Sequence, residues 1–370
     1  MFKAFPMFII RQFTPNWFTV TMGTGILSLL LGQLPGPLWL HAAGAALWRV
    51  NIALFGLFAL LYAARWVLYP REAARIFAHP VMPMFLGAIP MGLATIVNGS
   101  IAFAHDYHMA LQFWCVDAAL AVLVGLGVPF AMFTHQTHRL ESMTGVWLLP
   151  IVAAEVAAAS AGLLAPHLVG QSALDVLLAG YVLWALSVPL ALSVLVILLL
   201  RLALHKLPHR DMAASSWLAL GPLGTGALAL LLLGHASPGI LPADAGRVAQ
   251  GLGLIGGLLL WGYGGWWLLM AVAMTLTYLR HGLPFNLGWW GFIFPLGVFA
   301  AASFALGAQT GVALFGQLAI ALTMLVGALW LVVSLRTLAG TLSGALFYSP
   351  CLNQARDGSV ANILGSAPRG

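Results

Sequence analysis

Charge is what this sequence has least of. Asp, Glu, Lys and Arg make up 6% of its 370 residues, against 62% apolar, and mean hydropathy is +0.99. Soluble domains average about a quarter charged, so the composition excludes a water-soluble globular protein and a charged disordered chain alike. Cysteine is nearly absent: Cys115 falls in an apolar run and Cys351 near the end of the chain, too far apart to frame a disulfide fold. Long polar stretches are also missing, so no soluble domain is inserted. No Ser–His–Asp or Cys–His arrangement has a supporting context, and neither an enzyme nor a cofactor is implied. The first eleven residues are apolar, but Pro6 interrupts them and no small-residue cleavage site follows, so no removable leader is expected.

What is present is apolar length. Ten runs, at about 17–34, 47–69, 84–104, 109–133, 145–165, 173–201, 213–234, 247–279, 286–306 and 311–335, each approach the ~20 residues that carry a helix across the hydrocarbon layer. The expectation is an all-α integral membrane fold, one transmembrane domain over 1–370 with a tail over 340–370. Lys3, Arg11, Arg65, Arg71, Arg75, Arg139, Arg201, Lys206, Arg210, Arg280, Arg336, Arg356 and Arg369 fall at one end of the spans, and only Arg49 and Arg247 at the other. That bias places both termini and the tail in the cytoplasm. It explains the net charge of +6 without a nucleic-acid partner; the partners expected are lipid and a small solute.

The odd-numbered spans share a template, recurring roughly every 60–70 residues as internal repeats do. An aromatic residue is followed by a few apolar ones, then proline, a large apolar residue and a small one. The proline slot holds Thr21, Pro90, Pro150, Pro222 and Pro295, and two residues later come Gly23, Gly92, Val152, Gly224 and Gly297. Proline inside a helix removes a hydrogen bond and bends it, and irregular backbone survives at membrane depth only when buried in protein or lining water. Pro90, Pro150, Pro222 and Pro295 are therefore read as kinks of helices around one pore. The residue before the slot and the residue two after it share a face to within about 60°. That face would ring one level with Val20, Ile89, Leu149, Gly221 and Phe294 and a second level mostly with glycine. A tube of small residues closed by a single benzyl group describes a hydrophobic gate. The alternative is that the glycines let helices pack closely.

The stretches NWFTVTMGTGILS (16–28), FLGAIPMGLATIVNG (85–99), WLLPIV (147–152) and FPLGVF (294–299) resemble the tellurite-resistance/dicarboxylate transporter family, which includes plant slow anion channels, fungal sulfite exporters and malic acid transport proteins. The wording of the first two stretches is closest to the sulfite and malate branch. The resemblance implies ten helices as five hairpins around a pseudo-five-fold central pore and a homotrimer. It also implies a bacterial inner-membrane location, and transport of sulfite, a C4-dicarboxylate such as malate, chloride, nitrate or tellurite past Phe294.

Other residues were weighed for chemistry. Glu155, three residues beyond Val152, is a candidate for coupling anion movement to protons, because an acid at mid-bilayer costs about 2.5–3.5 kcal/mol and is usually retained for a role. Asp117 and Asp175 are expected nearer the outer ends, touching water or Arg49. His105/His108 and His135/His138 form H-x-x-H pairs in loops and lack the further ligands a metal site needs. GLGLIG over 251–256 matches a dinucleotide pattern by letter, but it lies inside a span with no preceding strand and signals packing. Arg75, Arg139, Arg201 and Arg280 could gather anions at one mouth, or report topology alone.

Overall fold

The computed structural model describes residues 5–349 and 352; Cys351 and most of the expected tail lie outside them. Among the described residues there are helices and no strands. In chain order they are α1 Phe5–Gln12, α2 Phe18–Gln33, α3 Leu38–Leu68, a single turn α4 Pro70–Ala73, α5 Ala88–Gly99, α6 Tyr107–Thr134, α7 Leu149–Leu164, α8 Gln171–His205, α9 Leu220–Ala236, α10 Ala243–Leu279, α11 Ile293–Thr310 and α12 Ala313–Leu342. Nine helical segments among the described residues are long and apolar enough to cross a membrane. The first expected span is realised as α2, of 16 residues, which falls short of that length. It stops where Leu34, held extended ahead of Pro35, can no longer continue the helix.

The helices sort into two sets. α2 packs against α5, α5 against α7, α7 against α9, α9 against α11, and α11 back against α2. In the segments carrying α5, α7, α9 and α11, 78–94% of the most apolar window is buried; in α3, α6, α8, α10 and α12 the figure is 22–33%. The second set turns Leu60, Leu123, Leu259 and Leu335 outward, as lipid-facing helices do.

Each inner helix begins with a 3₁₀ segment: Pro15–Trp17, Met82–Gly87, Gly145–Leu148, Arg210–Trp217 and Leu287–Phe292. This corrects the expectation of mid-helix kinks. Pro150 is the second residue of α7, and Pro90, Pro222 and Pro295 are the third residues of α5, α9 and α11. In the first turn an α-helix needs no N–H from that position, so proline is tolerated there and pre-sets the backbone. Interior prolines are found instead in the outer helices, at Pro129 and Pro189.

One indole per outer helix ties the two sets together. Trp48 Nε1 of α3 donates to Ile96 O of α5 at 3.3 Å, Trp114 of α6 to Ala157 O of α7 at 2.9 Å, and Trp184 of α8 to Gly226 O of α9 at 3.0 Å. Trp261 of α10 donates to Ser303 Oγ of α11 at 2.8 Å, and Trp330 of α12 to Thr24 Oγ1 of α2 at 3.0 Å. Every outer helix is thus bonded to the inner helix that follows it, the last one to the first. The chain beyond α12 also returns to the start: Phe347 stacks on Trp17 with ring centroids 5.1 Å apart, and Ser349 N donates to Gln12 Oε1 at 2.7 Å. Buried Arg65 of α3 donates to Phe13 O and to Ser349 Oγ.

Candidate functional site: two cavities inside the helix ring

All five inner segments contribute to two cavities that share no lining residue. The first, of about 340 Å³, lies at their N-terminal ends and is bordered by Asn16, Thr19 and Met22, by Met82 and Phe85, by Val146 and Leu149, by Ser215 and Leu218, and by Leu287 and Gly291. The second, of about 660 Å³, lies at their C-terminal ends and is bordered by Ile26 and Leu29, by Thr95 and Asn98, by Val156 and Ala159, by Thr225 and Leu228, and by Phe294 and Val298. On α11 the change from one cavity to the other comes between Gly291 and Phe294. Phe294 is 3% exposed and is the first residue of its helix to border the larger cavity.

Five residues were expected at the level of Phe294. Leu149 borders the smaller cavity and Phe294 the larger, while a Cβ added at Gly221 would meet nothing within 4 Å. Ile89 is half-buried against the core and Val20 is buried, and neither borders a cavity. Span 1 instead presents Thr19, Met22 and Ile26, because without a proline its alignment was set by Thr21 alone.

Four of the glycines expected to line a second level are packing glycines. A Cβ on Gly23 would lie 2.6 Å from the Trp290 ring, on Gly92 2.6 Å from the Thr21 hydroxyl, on Gly224 3.0 Å from Phe299 N, and on Gly297 2.6 Å from Ile26 Cγ1. They stand where inner helices touch one another or, at Gly92, also touch Phe55 of α3. Val152, at the same template position, is a buried member of the core. The close-packing alternative therefore holds for the glycines.

His79, ahead of the segment that leads into α5, borders the smaller cavity at 9% exposure. Its Nδ1 accepts from Val81 N at 3.0 Å and Met82 N at 3.1 Å, which leaves the ring proton on Nε2. Burial pushes this imidazole down to about 4, so it is neutral at physiological pH and offers a donor without a charge. Past α5 a π-helical turn, Ser100–Ala104, ends at left-handed His105 (φ 53°). Such turns recur at functional sites, and Ile101, Phe103 and His105 border the larger cavity.

The profile of the voltage-dependent anion channel family matches residues 12–338, nearly the whole chain and every inner helix. The chain belongs to that family.

This family member is 38% identical over 352 residues to a sulfite efflux pump of Arthroderma otae, covering 91% of this chain and 93% of the relative. An uncharacterized transporter of Methanocaldococcus jannaschii is 31% identical over 343 residues, covering 91% and 97%. The malic acid transport protein of Schizosaccharomyces pombe is 23% identical over 305 residues, covering 77% and 68%. The family and these relatives are channels and transporters, not enzymes, and the chain is an integral membrane protein of anion transport.

Several sequence candidates fall elsewhere in this anion-channel relative. Glu155 is fully buried and borders neither cavity. It stands beside Ser187 of α8, and its Oε2 would lie 3.5 Å from a Cβ on Gly226 of α9. Two three-residue steps from Leu149 lag the helical repeat by about 120°, which turns it off the lumen face. Asp117 is also fully buried rather than in contact with water or Arg49, with neither oxygen hydrogen-bonded; Asp175 is exposed and accepts from Gln171 Nε2 at 2.7 Å. Arg201 is buried and spends its guanidinium on Glu141 O and Lys206 O. Arg75, Arg139 and Arg280 are exposed but border neither cavity. Among the described residues, no His, Cys, Asp or Glu joins either H-x-x-H pair to make a three-ligand group. Gly253 and Gly256 of the GLGLIG run pack against Leu230.

Proposed function

We propose that the chain conducts small anions across a membrane along the axis of its inner helices, with Phe294 as the gate between the two cavities. The observation that carries this reading is the placement of one cavity at the N-terminal ends of all five inner helices and the other further along the same five helices, with no residue bordering both. Helix N-termini carry partial positive charge, and five of them surround the smaller cavity, favouring an anion there without a fixed cation. Aromatic ring edges are also partially positive, so a displaced Phe294 can pass an anion edge-on.

In this reading the fold is a single domain of ten spans arranged as five hairpins around a pseudo-five-fold pore. The short α2, extended by its 3₁₀ turn, is the first span. Sulfite is the first candidate substrate, on the strength of the Arthroderma relative, followed by a C4-dicarboxylate such as malate. Chloride, nitrate and tellurite belong on the same panel. The basic residues gathered at one end place both termini in the cytoplasm, of a bacterial inner membrane if the source is bacterial. A homotrimer with one pore per subunit completes the proposal. Phe294→Ala should raise anion flux in proteoliposomes by roughly tenfold, an effect of about 1.4 kcal/mol on the barrier. Parental flux from a well-inserted variant would remove Phe294 from the gate.

A second reading, a proton-coupled transporter, is favoured by one observation. Glu155 of inner helix α7 is a fully buried acid with neither oxygen hydrogen-bonded, and Ser187 beside it gives its hydroxyl to Ile151 O at 2.8 Å. Glu155→Gln should flatten the dependence of flux on a pH gradient. Superimposable pH profiles for variant and parent would leave the passive conduit as the better account.

A further inference from the structure

Among the residues that border the larger cavity with Phe294, one carries a buried hydrogen-bonding group that has no partner. Buried threonines elsewhere in the molecule donate back to their own helices: Thr21 to Phe18 O, Thr95 to Gly92 O and Thr323 to Ala319 O, at 2.7–2.8 Å. Thr225 does not. It is 1% exposed, it borders the larger cavity, and its Oγ1 has no partner. Across the same cavity Asn98 has its carboxamide oxygen buried and likewise unpartnered. Thr95, by contrast, is saturated, since it also accepts from Asn51 Nδ2 at 3.0 Å. Unmet polar groups in an apolar wall are costly, and two of them bordering one cavity describe a place for a ligand rather than for packing.

We infer that Thr225 and Asn98 form a binding subsite for an oxyanion that retains one acid hydroxyl, on the larger-cavity side of the Phe294 gate. This rests on the reading of the protein as an anion conduit and adds to it a substrate class. The threonine hydroxyl and the amide N–H₂ of Asn98 donate to the oxyanion. The amide oxygen accepts from the acid hydroxyl, and whichever way the carboxamide is turned it offers one acceptor and one double donor. No Lys or Arg stands among the described residues bordering the cavity; its titratable groups are His41, His105, Tyr107 and His167. A wall with no fixed cation at this level desolvates a singly charged ion far more readily than a dianion. Hydrogensulfite meets all three demands. Chloride has no hydroxyl and makes no use of the acceptor.

The test is flux of sulfite, in mildly acidic buffer where hydrogensulfite predominates, and of chloride through full-length protein in liposomes. Thr225→Val, which keeps the side-chain shape, should cut sulfite flux about tenfold, the loss expected for one hydrogen bond to a charged partner, with chloride flux within about twofold. Thr225→Ser should restore sulfite flux, and Asn98→Leu should narrow the preference for sulfite over chloride. Sulfite flux at the parental level in Thr225→Val, or sulfite and chloride falling together in it, would overturn the subsite while leaving the conduit intact. A parent carrying neither ion would overturn the conduit reading and the subsite with it.

Discussion

The inner and outer helices are made from the same apolar alphabet, and the inner ones are no more apolar than the outer. Yet one set is almost wholly buried and the other mostly faces outward. In water, burial would follow from hydrophobicity; in a bilayer lipid is as apolar as leucine, and helices associate through close packing and hydrogen bonds. The inner set is distinguished by residue size at its contacts. Gly23, Gly224 and Gly297 sit where neighbouring inner helices touch, and each is too close to its neighbour for a methyl group to fit without movement. The outer set supplies an indole donor per helix and long aliphatic side chains turned outward.

The largest break in that contrast should come from bulk. Gly297→Val would drive a branched side chain into Ile26, and overpacking of this kind costs about 1–3 kcal/mol or more. The variant should yield little folded protein on size-exclusion chromatography after detergent extraction. Gly262→Val on α10, where an added Cβ meets nothing within 4 Å, should extract like the parent. Equal losses at the two sites would mean that the sets are not distinguished by packing. A smaller effect is expected at the ties between sets. Trp184→Phe keeps an aromatic ring but removes the N–H given to Gly226 O, and interhelical bonds in membranes are worth about 0.6 kcal/mol on average. A drop of about one degree in thermal unfolding would fit, and an unchanged midpoint would reduce the indole to a packing group.

The effect confined to the narrowest range of conditions concerns pH. His79 is held near 4 in the fold, below the ordinary histidine value of 6.5. The unfolded chain therefore binds the extra proton first, and the stability contribution present above about 6.5 is lost as pH falls towards 4. His79→Asn, which keeps an acceptor for the backbone N–H groups of Val81 and Met82, should show a shallower loss of thermal stability across that window. A slope identical to the parent's would assign the acid sensitivity to other groups.

Much of this was legible in the sequence, for reasons that also explain what was not. Apolar runs mark helices because bilayer thickness fixes their length, but not their ends: α3 begins at Leu38 where the run began at 47, and α12 continues to Leu342 where the run stopped at 335. The proline template picked out Leu149, which borders the smaller cavity, and Phe294, which borders the larger. It failed at Val20, where threonine occupies the slot and gives no steric anchor. The cavity-facing positions also advance by steps of three and four, as in Thr225, Leu228 and Leu232. A fixed step of three therefore drifted onto Gly224 and Glu155. The recurrent tryptophans of the outer helices, Trp48, Trp114, Trp184, Trp261 and Trp330, carry a signal as regular as the prolines, although it identifies contacts between helices and not the lumen. Thr225 and Asn98 could not be singled out at all, because an unsatisfied hydroxyl is a property of three dimensions.

The bond from Trp330 to Thr24 joins the last of the outer helices to the first of the inner ones. Until the ribosome has released α11 and α12, Gly23 has no Trp290 against it and Thr24 no indole. The growing chain is then an open arc with two raw edges, one on α2 and one on α9. Truncation anywhere ahead of α11 leaves both edges without the helix that packs against them.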